Sequence, residues 1–561
     1  MVNRTQLIIL GAGVMQGPAI KLAKEMGLET VVVDGDPKAV HVSLADRFEH
    51  IDLKDKEGIE ALARSLQADG RLGGVMTAGT DFSATVAWVA ERLGLPGIPY
   101  EAALNASDKE RMRLCFKAAA VPSPEFIILK NLPPADFTLP FDFPAVVKPV
   151  DNMGGRGCRR IDSRAGLDAA LPDALKFSRS GRVIVEEYMD GPEFSVDALV
   201  YHGEITICGL ADRHIFFPPY FIEMGHTIPT NLDEGTVNAL LSAFTAGVRA
   251  LGLLGDNAAG AAKGDIKLTS KGPMIGEIAA RLSGGYMSGW TYPYASGVEV
   301  TRGAILAALG QKPDGLTPTR AWTCAERAFI SIPGKVRSIH GIEGAKAAPH
   351  VNNLFLRAES GGQVKFPENN VSKCGNIIAS APDRETAVIA AEAAARSVLI
   401  RLEAPDSETA AFLAQSETSP AAKPGPDQDT RCPPDAGHSA DSWRPPNAFA
   451  VSPDIAALLA ALPDPAIPAD STGPHSPALV PFPAFTESGL LDYAGRSVEA
   501  SLAAVRTITG LALPVKPYSG PGGDTGVDPF FLGRQFWAAL IRGGYQGAAY
   551  IADLYIRTRE G

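Results

Sequence analysis

The chain has 561 residues, of which 45% are hydrophobic and 20% charged, and its formal charge at pH 7 is −11. This length allows three or four domains, each with its own core. The acidic excess argues against a nucleic-acid-binding protein, because binding to phosphate backbones needs a basic surface. The N-terminal apolar run is too short for a signal peptide, and no stretch reaches the length of a membrane helix. We therefore expect a cytoplasmic protein without a nucleic-acid or membrane partner.

Strand-like and helix-like segments alternate through the first hundred residues. Apolar runs at residues 7–10, 30–33 and 73–77 alternate with helical patterns at residues 18–26 and 83–93. Strands that alternate with helices indicate parallel βαβ units covered on both faces. The pattern predicts an α/β domain over residues 1–105.

A glycine turn with Gly11, Gly13 and Gly17 follows the first predicted strand, and Asp34 ends the second. The turn is similar to a dinucleotide-binding loop, but its spacing is G-x-G-x-x-x-G instead of G-x-G-x-x-G. Nothing downstream indicates hydride chemistry. We interpret it as a tight βα turn, or as a site for another small ligand, in preference to an NAD site.

A lysine and a glycine-rich run stand close together after residue 105. A predicted strand at residues 145–148 ends in Lys148, and the sequence Asn-Met-Gly-Gly-Arg-Gly follows at residues 152–157. A lysine at a strand end supplies charge and a mobile glycine loop supplies backbone N–H groups, so the two can hold a polyphosphate. The loop is not a Walker A sequence, because no Gly-Lys-Ser/Thr follows it.

Carboxylates follow on later predicted strands. Glu186 and Glu193 lie at the end of one apolar strand and the start of the next, where they can accept hydrogen bonds from adenine or ribose. Asp265 and Glu277 lie on two strands joined by a predicted turn at residues 270–272. Two facing carboxylates suit a magnesium ion that also binds triphosphate oxygens.

Taken in order, these elements resemble the ATP-grasp superfamily over about residues 5–402. Relatives include biotin carboxylase, the purine-biosynthesis carboxylases and formyltransferases, carbamoyl-phosphate synthetase, D-alanine–D-alanine ligase and bacterial L-amino acid ligases. The resemblance implies an α/β and α+β protein. A parallel βαβ (pre-ATP-grasp) domain over residues 1–105 would precede an ATP-grasp fold over residues 106–402.

The resemblance also implies roles for individual residues. Those that would bind ATP are Lys109, Lys148, Gly154, Gly155, Gly157, Glu186, Glu187, Tyr188 and Glu193. Asp265 and Glu277 would hold Mg²⁺ or Mn²⁺. Lys148 and Arg281 would be catalytic, with Arg281 stabilising the acyl phosphate and the transferring phosphoryl group. Many relatives have Asn where this chain has Ala279, so the number of metal ions stays open.

The turn at Ser283, Gly284 and Gly285 looks closer to enzymes that join a carboxylate to an amine than to biotin or purine carboxylases. Such a turn can offer backbone donors to a carboxylate or an acyl-phosphate oxyanion.

The segment over residues 212–227 resembles the substrate-facing part of amino-acid ligases. In it Arg213 could clamp a carboxylate, and Glu223 or His226 could orient or deprotonate an amine. An exposed loop with a structural histidine is an equally weighted interpretation.

These features predict an ATP- and Mg²⁺-dependent ligase that phosphorylates a small-molecule carboxylate and joins the acyl phosphate to an amine, that of an amino acid or another small metabolite. One alternative is an ATP-dependent carboxylase or formyltransferase acting on a small metabolite. The other is a non-catalytic nucleotide-binding scaffold, which Ala279 favours. The sequence identifies neither substrate.

Two further regions follow residue 402. Residues 403–483 are rich in Pro, Ala and Ser, a composition that predicts a largely disordered linker with a short helix at residues 455–462. Residues 484–561 regain hydrophobic periodicity and predict helices broken at Gly543 and Gly544. We expect this helical segment to pack on the body of the protein or on a second copy in a homodimer.

Overall fold

The computed structural model of the protein describes residues 4–414, 457, 459–460, 462, 491–511, 513 and 529–560. Its N-terminal unit is a four-stranded parallel sheet in the order β3-β2-β1-β4. The elements are β1 (Gln6–Leu10), α1 (Gly17–Glu25), β2 (Glu29–Asp34), β3 (Arg47–His50), α2 (Lys56–Ala68), β4 (Leu72–Thr77) and α3 (Ser83–Leu93). Every residue of β1 is buried, as expected for a parallel strand between two helix layers. The predicted α/β unit is confirmed, although the polar strand β3 and helix α2 were not foreseen.

Two short helices lead out of this unit, α4 (Tyr100–Ser107) and α5 (Lys109–Ala118). Asp108 separates them and caps α5, because its side chain accepts hydrogen bonds from the backbone N–H groups of Glu110 and Arg111 at 2.9 and 3.1 Å. The cap places Lys109 at the first turn of α5.

A four-stranded antiparallel sheet follows, in the order β5-β8-β6-β7. Its elements are β5 (Phe126–Leu129), β6 (Ala145–Pro149), β7 (Arg159–Ile161), α6 (Arg164–Phe177) and β8 (Val183–Glu187). Helix α6 packs its apolar side on this sheet, in a small core of its own. The glycine-rich run connects β6 to β7, so the loop leaves the sheet directly after Lys148.

The largest sheet has eight antiparallel strands in the order β13-β12-β9-β10-β11-β14-β18-β16, and a smaller one has the order β17-β15-β19. The strands are β9 (Glu193–Tyr201), β10 (Glu204–Phe216), β11 (Ile222–Ile228), β12 (Ala259–Thr269), β13 (Gly272–Ala279), β14 (Thr323–Phe329), β15 (Gly334–His340), β16 (Val351–Leu356), β17 (Gln363–Val364), β18 (Gly375–Ala381) and β19 (Leu399–Leu402). The helices of this part are α7 (Glu234–Ala250), α8 (Tyr292–Ser296), α9 (Val300–Ala308), α10 (Ile342–Ala347), α11 (Arg384–Ser397) and α12 (Ser407–Ala414).

The sequence pattern predicts one helix over residues 384–401, and this is wrong at its C-terminal end. Helix α11 stops at Ser397, and residues 399–402 form β19, in which Ile400 pairs with Ile339 of β15. The apolar, partly β-branched sequence Leu-Ile-Arg-Leu suits a strand, and the sheet partner is remote in sequence.

The C-terminal segment contains α13 (Val498–Thr509) and α14 (Arg534–Glu560). Gly544 interrupts α14 with φ 56° and ψ −151°, as the glycine pair predicted. Phe536 and Trp537 are buried in one hydrophobic core with residues of β14, β15 and β19. The segment therefore packs on the body of the protein.

Helix α12 occupies part of the region predicted as a linker, and Asp406 stabilises its first turn by accepting a hydrogen bond from Thr409 N–H at 2.9 Å. The helix predicted at residues 455–462 falls mostly outside the described residues. Among the helices that the structure describes, none combines the length and the apolar character needed to cross a membrane.

Candidate active site

Asp265 and Glu277 lie directly opposite each other on β12 and β13, which confirms the predicted antiparallel pair. Ser195 on β9 donates a hydrogen bond to Asp265 Oδ1 at 3.1 Å, and Glu277 Oε2 is 3.4 Å from Lys109 Nζ. Burial raises the pKa of the Glu277 carboxyl, but Lys109, Lys263 and neighbouring cations outweigh it and lower the pKa to about 2. Glu277 is therefore an anion at neutral pH.

This pair of carboxylates fits a magnesium ion that shares its coordination with phosphate groups. Across the described ranges, no three or more His, Cys, Asp or Glu side chains converge as a closed metal cage. Mg²⁺ in nucleotide sites commonly takes one or two carboxylates and completes its shell with phosphate oxygens and water. Asp265 and Glu277 offer two carboxylates on facing strands, but Arg213 and Lys263 already pair with Asp265, so the predicted binding of Mg²⁺ stays a prediction.

Lys148 is held by a buried ion-pair network. Its Nζ lies 2.6 Å from Glu186 Oε2, and Arg113 Nε lies 2.8 Å from Glu186 Oε1. Burial raises the pKa of Glu186, but Arg113 and Lys148 outweigh it, so the pKa is lowered. Arg113 also donates to the carbonyl of Gly276 at 2.7 Å, which joins β8 to β13. Both Glu186 oxygens are engaged with cations, so its predicted contact with adenine stays a prediction.

Lys109 connects the glycine loop to the carboxylate pair. Its Nζ donates to the carbonyl oxygen of Asn152 at 2.9 Å in addition to its contact with Glu277. Burial lowers the pKa of Lys109, but Glu277 and Asp81 outweigh it and the pKa is raised. The ammonium group is therefore a fixed positive charge beside both elements.

The glycine loop needs glycine at three positions, because Gly154, Gly155 and Gly157 have φ angles of 71°, 75° and 68°. Asn370, which follows β17, donates its backbone N–H to the carbonyl of Gly154 at 2.9 Å. The loop thus extends from the four-stranded antiparallel sheet to the segment between β17 and β18.

At the C-terminal end of β8, Tyr188 N–H donates to Pro144 O at 3.2 Å, and Glu187 N–H donates to Glu125 O at 2.9 Å. The guanidinium of Arg160 lies 4.6 Å from the centroid of the Tyr188 ring. The side chain of Glu187 pairs with Lys271 at the surface. Their predicted contacts with ATP stay predictions.

Arg213 lies among three protein carboxylates. It forms ion pairs with Glu193, Glu223 and Asp265, the last at 2.8 Å. Its side chain is 9% exposed. This arrangement joins Glu193, the residue predicted to bind ribose, to Asp265, the carboxylate predicted to bind a metal ion, and it does not favour the predicted clamp for a substrate carboxylate.

Glu223 and His226 lie together at the turn formed by residues 283–285. A Cβ atom at Gly285, which has φ 62°, would lie 2.9 Å from Glu223 Oε1 and 3.2 Å from His226 Cε1. His226 is 1% exposed, its Nδ1 is 3.2 Å from Glu326 Oε2, and its Nε2 is 3.6 Å from Glu223 Oε2. The alternative interpretation as an exposed loop is wrong for both residues, because they lie in β11.

The other residues of the turn serve its own structure. The backbone N–H and the hydroxyl of Ser283 both donate to the buried Asp197. Burial raises the pKa of Asp197 to about 6, although the bonds from Ser283 oppose this. Gly284 lies against the backbone of Gly79 in the N-terminal unit. Ser283 therefore anchors the turn instead of pointing a donor into the site.

Arg281 precedes this turn and donates from Nη1 to the carbonyl of Leu282 at 3.0 Å. Its Nε is buried and has no hydrogen-bond partner in the part of the chain described. The guanidinium and Glu277 interact electrostatically. Arg281 thus belongs to the positive environment of the carboxylate pair.

Several residues of the site were missed from sequence. Lys263 pairs with Asp265, and its position two residues earlier on the same strand face is a usable signal. Asp81 follows β4, at the C-terminal edge of a parallel sheet, where ligand sites commonly lie. Burial raises its pKa, although Lys109 and Arg281 oppose this. Arg113 gave no local signal, because it lies in α5 and its partner Glu186 lies on β8, more than seventy residues later in the chain.

Two protein side chains accept the backbone N–H groups of the N-terminal glycine turn. Gly13 N–H donates to Gln16 Oε1 at 2.9 Å, and Ala12 N–H donates to Asp34 Oδ2 at 2.7 Å. These contacts support its interpretation as a tight βα turn.

Comparisons with known proteins agree with this architecture. Residues 20–97 match the ATP-grasp N-terminal domain family, residues 141–288 the ATP-grasp domain family, and residues 328–403 the family described as L-amino acid ligase C-terminal domain 2. The solved structure of an L-amino acid ligase from Bacillus licheniformis is similar with a TM-score of 0.62 at 23% identity, over 71% of this chain and 99% of that one. At that identity the likeness concerns the fold.

Curated relatives cover a similar part of the chain. The protein y4rH of Sinorhizobium fredii is 25% identical over 388 residues, which are 68% of this chain and 79% of the relative. Carnosine synthase 1 of Gallus gallus is 25% identical over 422 residues, which are 68% of this chain and 44% of the relative. The chain thus spans less than half the length of that synthase.

Proposed function

This chain belongs to the ATP-grasp superfamily of carboxylate–amine ligases, and we propose that it phosphorylates a small carboxylate with ATP and joins the resulting acyl phosphate to an amine. Enzymes of this superfamily use ATP and Mg²⁺. The proposed products are an amide, ADP and phosphate.

One observation carries this proposal. Asp265 and Glu277 face each other on neighbouring strands, and Lys109, Lys263 and Arg281 surround them. Phosphoryl transfer needs mainly positioning and charge neutralisation, which such an alternation of carboxylates and cations provides. Retention of both carboxylates and of these cations argues against a scaffold without catalytic activity.

Asp265 and Glu277 are the residues that would hold Mg²⁺, which supplies charge neutralisation for the triphosphate when bound. Lys109 and Lys148 would bind phosphate oxygens, which is supported by the hydrogen bond from Lys109 to Asn152 of the glycine loop and by the position of Lys148 on the strand before that loop. Arg281 stabilises the transferring phosphoryl group, because a planar guanidinium can contact several oxygens that share the developing charge.

The amine step uses Glu223 and His226, which lie at the turn formed by residues 283–285. Glu223 holds the incoming ammonium group, and His226, oriented through Nδ1 by Glu326, takes its proton at Nε2. The amine nitrogen then bonds to the acyl carbon, the bond from that carbon to the phosphate oxygen breaks, and the departing phosphate takes the second proton from the nitrogen, which leaves the neutral amide and hydrogen phosphate. The proximity of Gly285 to both side chains supports this arrangement.

The test is a measurement of ADP release with Mg²⁺ and ATP, screening amino acids and related carboxylates singly and in pairs. Lys148→Ala and Glu277→Gln should abolish release. Lys346→Ala and Glu343→Gln are matched controls on α10, where both side chains are exposed, and should leave it unchanged.

ADP that forms only with a carboxylate–amine pair, accompanied by an amide in mass spectrometry, supports the ligase. Release that requires bicarbonate or formate would favour the carboxylase or formyltransferase alternative. Release that persists in Glu277→Gln would contradict the proposed site.

A further inference from the structure

Tyr286 is held rigidly directly after the turn formed by residues 283–285. Its backbone has φ 66°, a left-handed conformation that a bulky residue rarely adopts and that is often retained at functional sites. The residue is 2% exposed, and its ring centroid lies 4.4 Å from that of Phe355 and 5.5 Å from that of Trp290. The surrounding rings and the unusual backbone therefore fix the direction of the phenol oxygen.

That oxygen accepts a hydrogen bond from Arg357 Nη2 at 3.1 Å. Arg357 lies just after β16, and its backbone N–H donates to the carbonyl of Cys374 at 2.9 Å. Its Nη1 is 3.5 Å from the carbonyl oxygen of Asn370. Both the backbone and the guanidinium of Arg357 are thus held in place.

Asn370 connects Arg357 to the rest of the site. Its side-chain oxygen accepts a hydrogen bond from Glu223 N–H at 2.8 Å, and its own N–H donates to Gly154 O at 2.9 Å. The guanidinium of Arg357 therefore lies where the glycine loop at residues 152–157, the start of β11 and the turn at residues 283–285 meet.

Arg357 differs in its partners from Arg213 and Arg113. Arg213 forms ion pairs with three carboxylates and Arg113 with one, whereas in the described residues no carboxylate lies within 4 Å of the Arg357 guanidinium. Its side chain is exposed, so it can meet a ligand. A guanidinium has a planar pair of donors that matches a carboxylate.

A second cation strengthens the positive field. Lys373, which is 6% exposed, donates to the carbonyl of Glu223 at 2.7 Å. Burial lowers the pKa of Lys373, with Arg357 and Arg213 adding to the effect although Glu223 and Glu326 oppose it. An anion bound at Arg357 is therefore favoured electrostatically beside the Glu223 backbone.

We propose that Arg357, oriented by Tyr286, binds the carboxylate of the amine substrate, which is therefore an amino acid. This inference rests on the proposed ligase function. Glu223 presents Oε1 at Gly285 and holds the ammonium group, while Arg357 holds the carboxylate, so the two residues recognise opposite ends of a zwitterion. An amine without a carboxylate lacks the second contact.

The experiment compares the twenty common amino acids with their carboxamides as amine substrates, in ADP release by the full-length protein. In Arg357→Ala, the KM for the accepted amino acid should rise about 10- to 100-fold, because a charge-assisted contact is lost. The KM for ATP and the rate with the corresponding carboxamide should not change. Arg357→Lys should restore part of the affinity, and Tyr286→Phe should weaken it less than Arg357→Ala. Arg47→Ala, an exposed arginine of β3, is the matched control.

Equal effects of Arg357→Ala on amino acid and carboxamide, or no effect on either, would overturn the inference while leaving the ligase intact. If the wild type releases no ADP with any pair, the proposed function fails. Equilibrium dialysis of the radiolabelled amino acids with ADP and Mg²⁺ then decides the inference separately. Binding that Arg357→Ala abolishes supports it, and an absence of Arg357-dependent binding contradicts it.

Discussion

The proposed active site has two sides: a nucleotide side, with Lys109, Lys148, Asp265 and Glu277, and an amine side, with Glu223, His226 and Arg357. On the nucleotide side, Lys148 and Lys109 each contact a carboxylate from another element of the fold. On the amine side, Arg357 contacts a phenol and a carbonyl, and His226 Nε2 has no hydrogen-bond partner among the described residues. Paired cations are rigid and already neutralised, so ATP has to compete with protein carboxylates for them. The amine side thus keeps one donor group, the Arg357 guanidinium, and one acceptor atom, His226 Nε2, for substrate contacts. We infer that the nucleotide side provides chemistry common to any substrate, while the amine side selects the substrate.

The largest expected effect concerns the nucleotide side. Glu186→Gln removes the charge that pairs with Lys148 and Arg113 inside the protein. We expect a loss of about 3–5 kcal/mol in the free energy of unfolding, because two buried cations lose their counter-charge. ADP release should fall with every substrate pair.

Urea unfolding and ADP release measure these two effects, with Glu343→Gln as the exposed control. A variant as stable and active as the wild type would show that Glu186 does not hold Lys148.

The pH dependence of stability tests the turn that joins the two sides. The pKa of Asp197 is about 6 in the folded chain against an ordinary value of 3.8. The folded chain therefore binds more protons between these values, and this carboxyl makes the free energy of unfolding decrease as pH rises from about 4 to 6. The decrease amounts to at most about 3 kcal/mol, at about 1.4 kcal/mol per pKa unit.

Asp197→Asn keeps an acceptor for Ser283 N–H and cannot ionise, so the decrease should be smaller in this variant than in the wild type. Urea unfolding at pH 4, 5 and 6 measures it, with the exposed Asp314→Asn as control. Parallel pH curves for wild type and Asp197→Asn would contradict the assignment.

A smaller effect is expected on the amine side. Glu326→Gln weakens the hydrogen bond that orients His226. We expect about a tenfold lower rate of amide formation, since a charge-assisted hydrogen bond becomes a neutral one. The KM for ATP should stay constant, because the nucleotide side is untouched.

Steady-state kinetics with ATP and amine varied separately measure this effect. An increase in the KM for ATP equal to the loss in amide formation would mean that the two sides are not separate.

The smallest effect lies outside both sides. The hydroxyl of Tyr545 in α14 accepts a hydrogen bond from Ile400 N–H at 2.8 Å. Tyr545→Phe leaves this buried N–H without an acceptor and should cost about 1–2 kcal/mol of stability. Both KM values should be unchanged, because the lost hydrogen bond joins α14 to β19 and involves no residue of the candidate active site.

Thermal unfolding and kinetics measure this together, and Tyr201→Phe removes a comparable but exposed hydrogen bond as a control. Altered substrate KM values in Tyr545→Phe would show that the C-terminal segment affects the site.

Features that depend on neighbouring residues were predictable from the sequence. A strand–turn–strand pattern was enough to place Asp265 opposite Glu277. The break at Gly544 follows from the conformational preference of glycine, whereas the N-cap of α5 could have been Ser107 or Asp108 and only the structure shows that it is Asp108. Even so, the strand at residues 399–402 was predicted as helix, because its pairing partner lies about sixty residues away along the chain.

Which charged groups are neutralised, and which are left for a ligand, was decided only by the tertiary structure. Glu186 resembles an adenine contact in sequence, yet Arg113 from α5 and Lys148 from β6 occupy both its oxygens. Arg213 resembles a substrate clamp, yet it is surrounded by carboxylates. Arg357 has no distinctive sequence context, and it belongs to the site through Tyr286, 71 positions earlier in the chain. Local sequence determines where a strand or turn forms, because those preferences act between neighbouring residues. Charge pairing depends on the convergence of remote segments, which only the folded chain specifies.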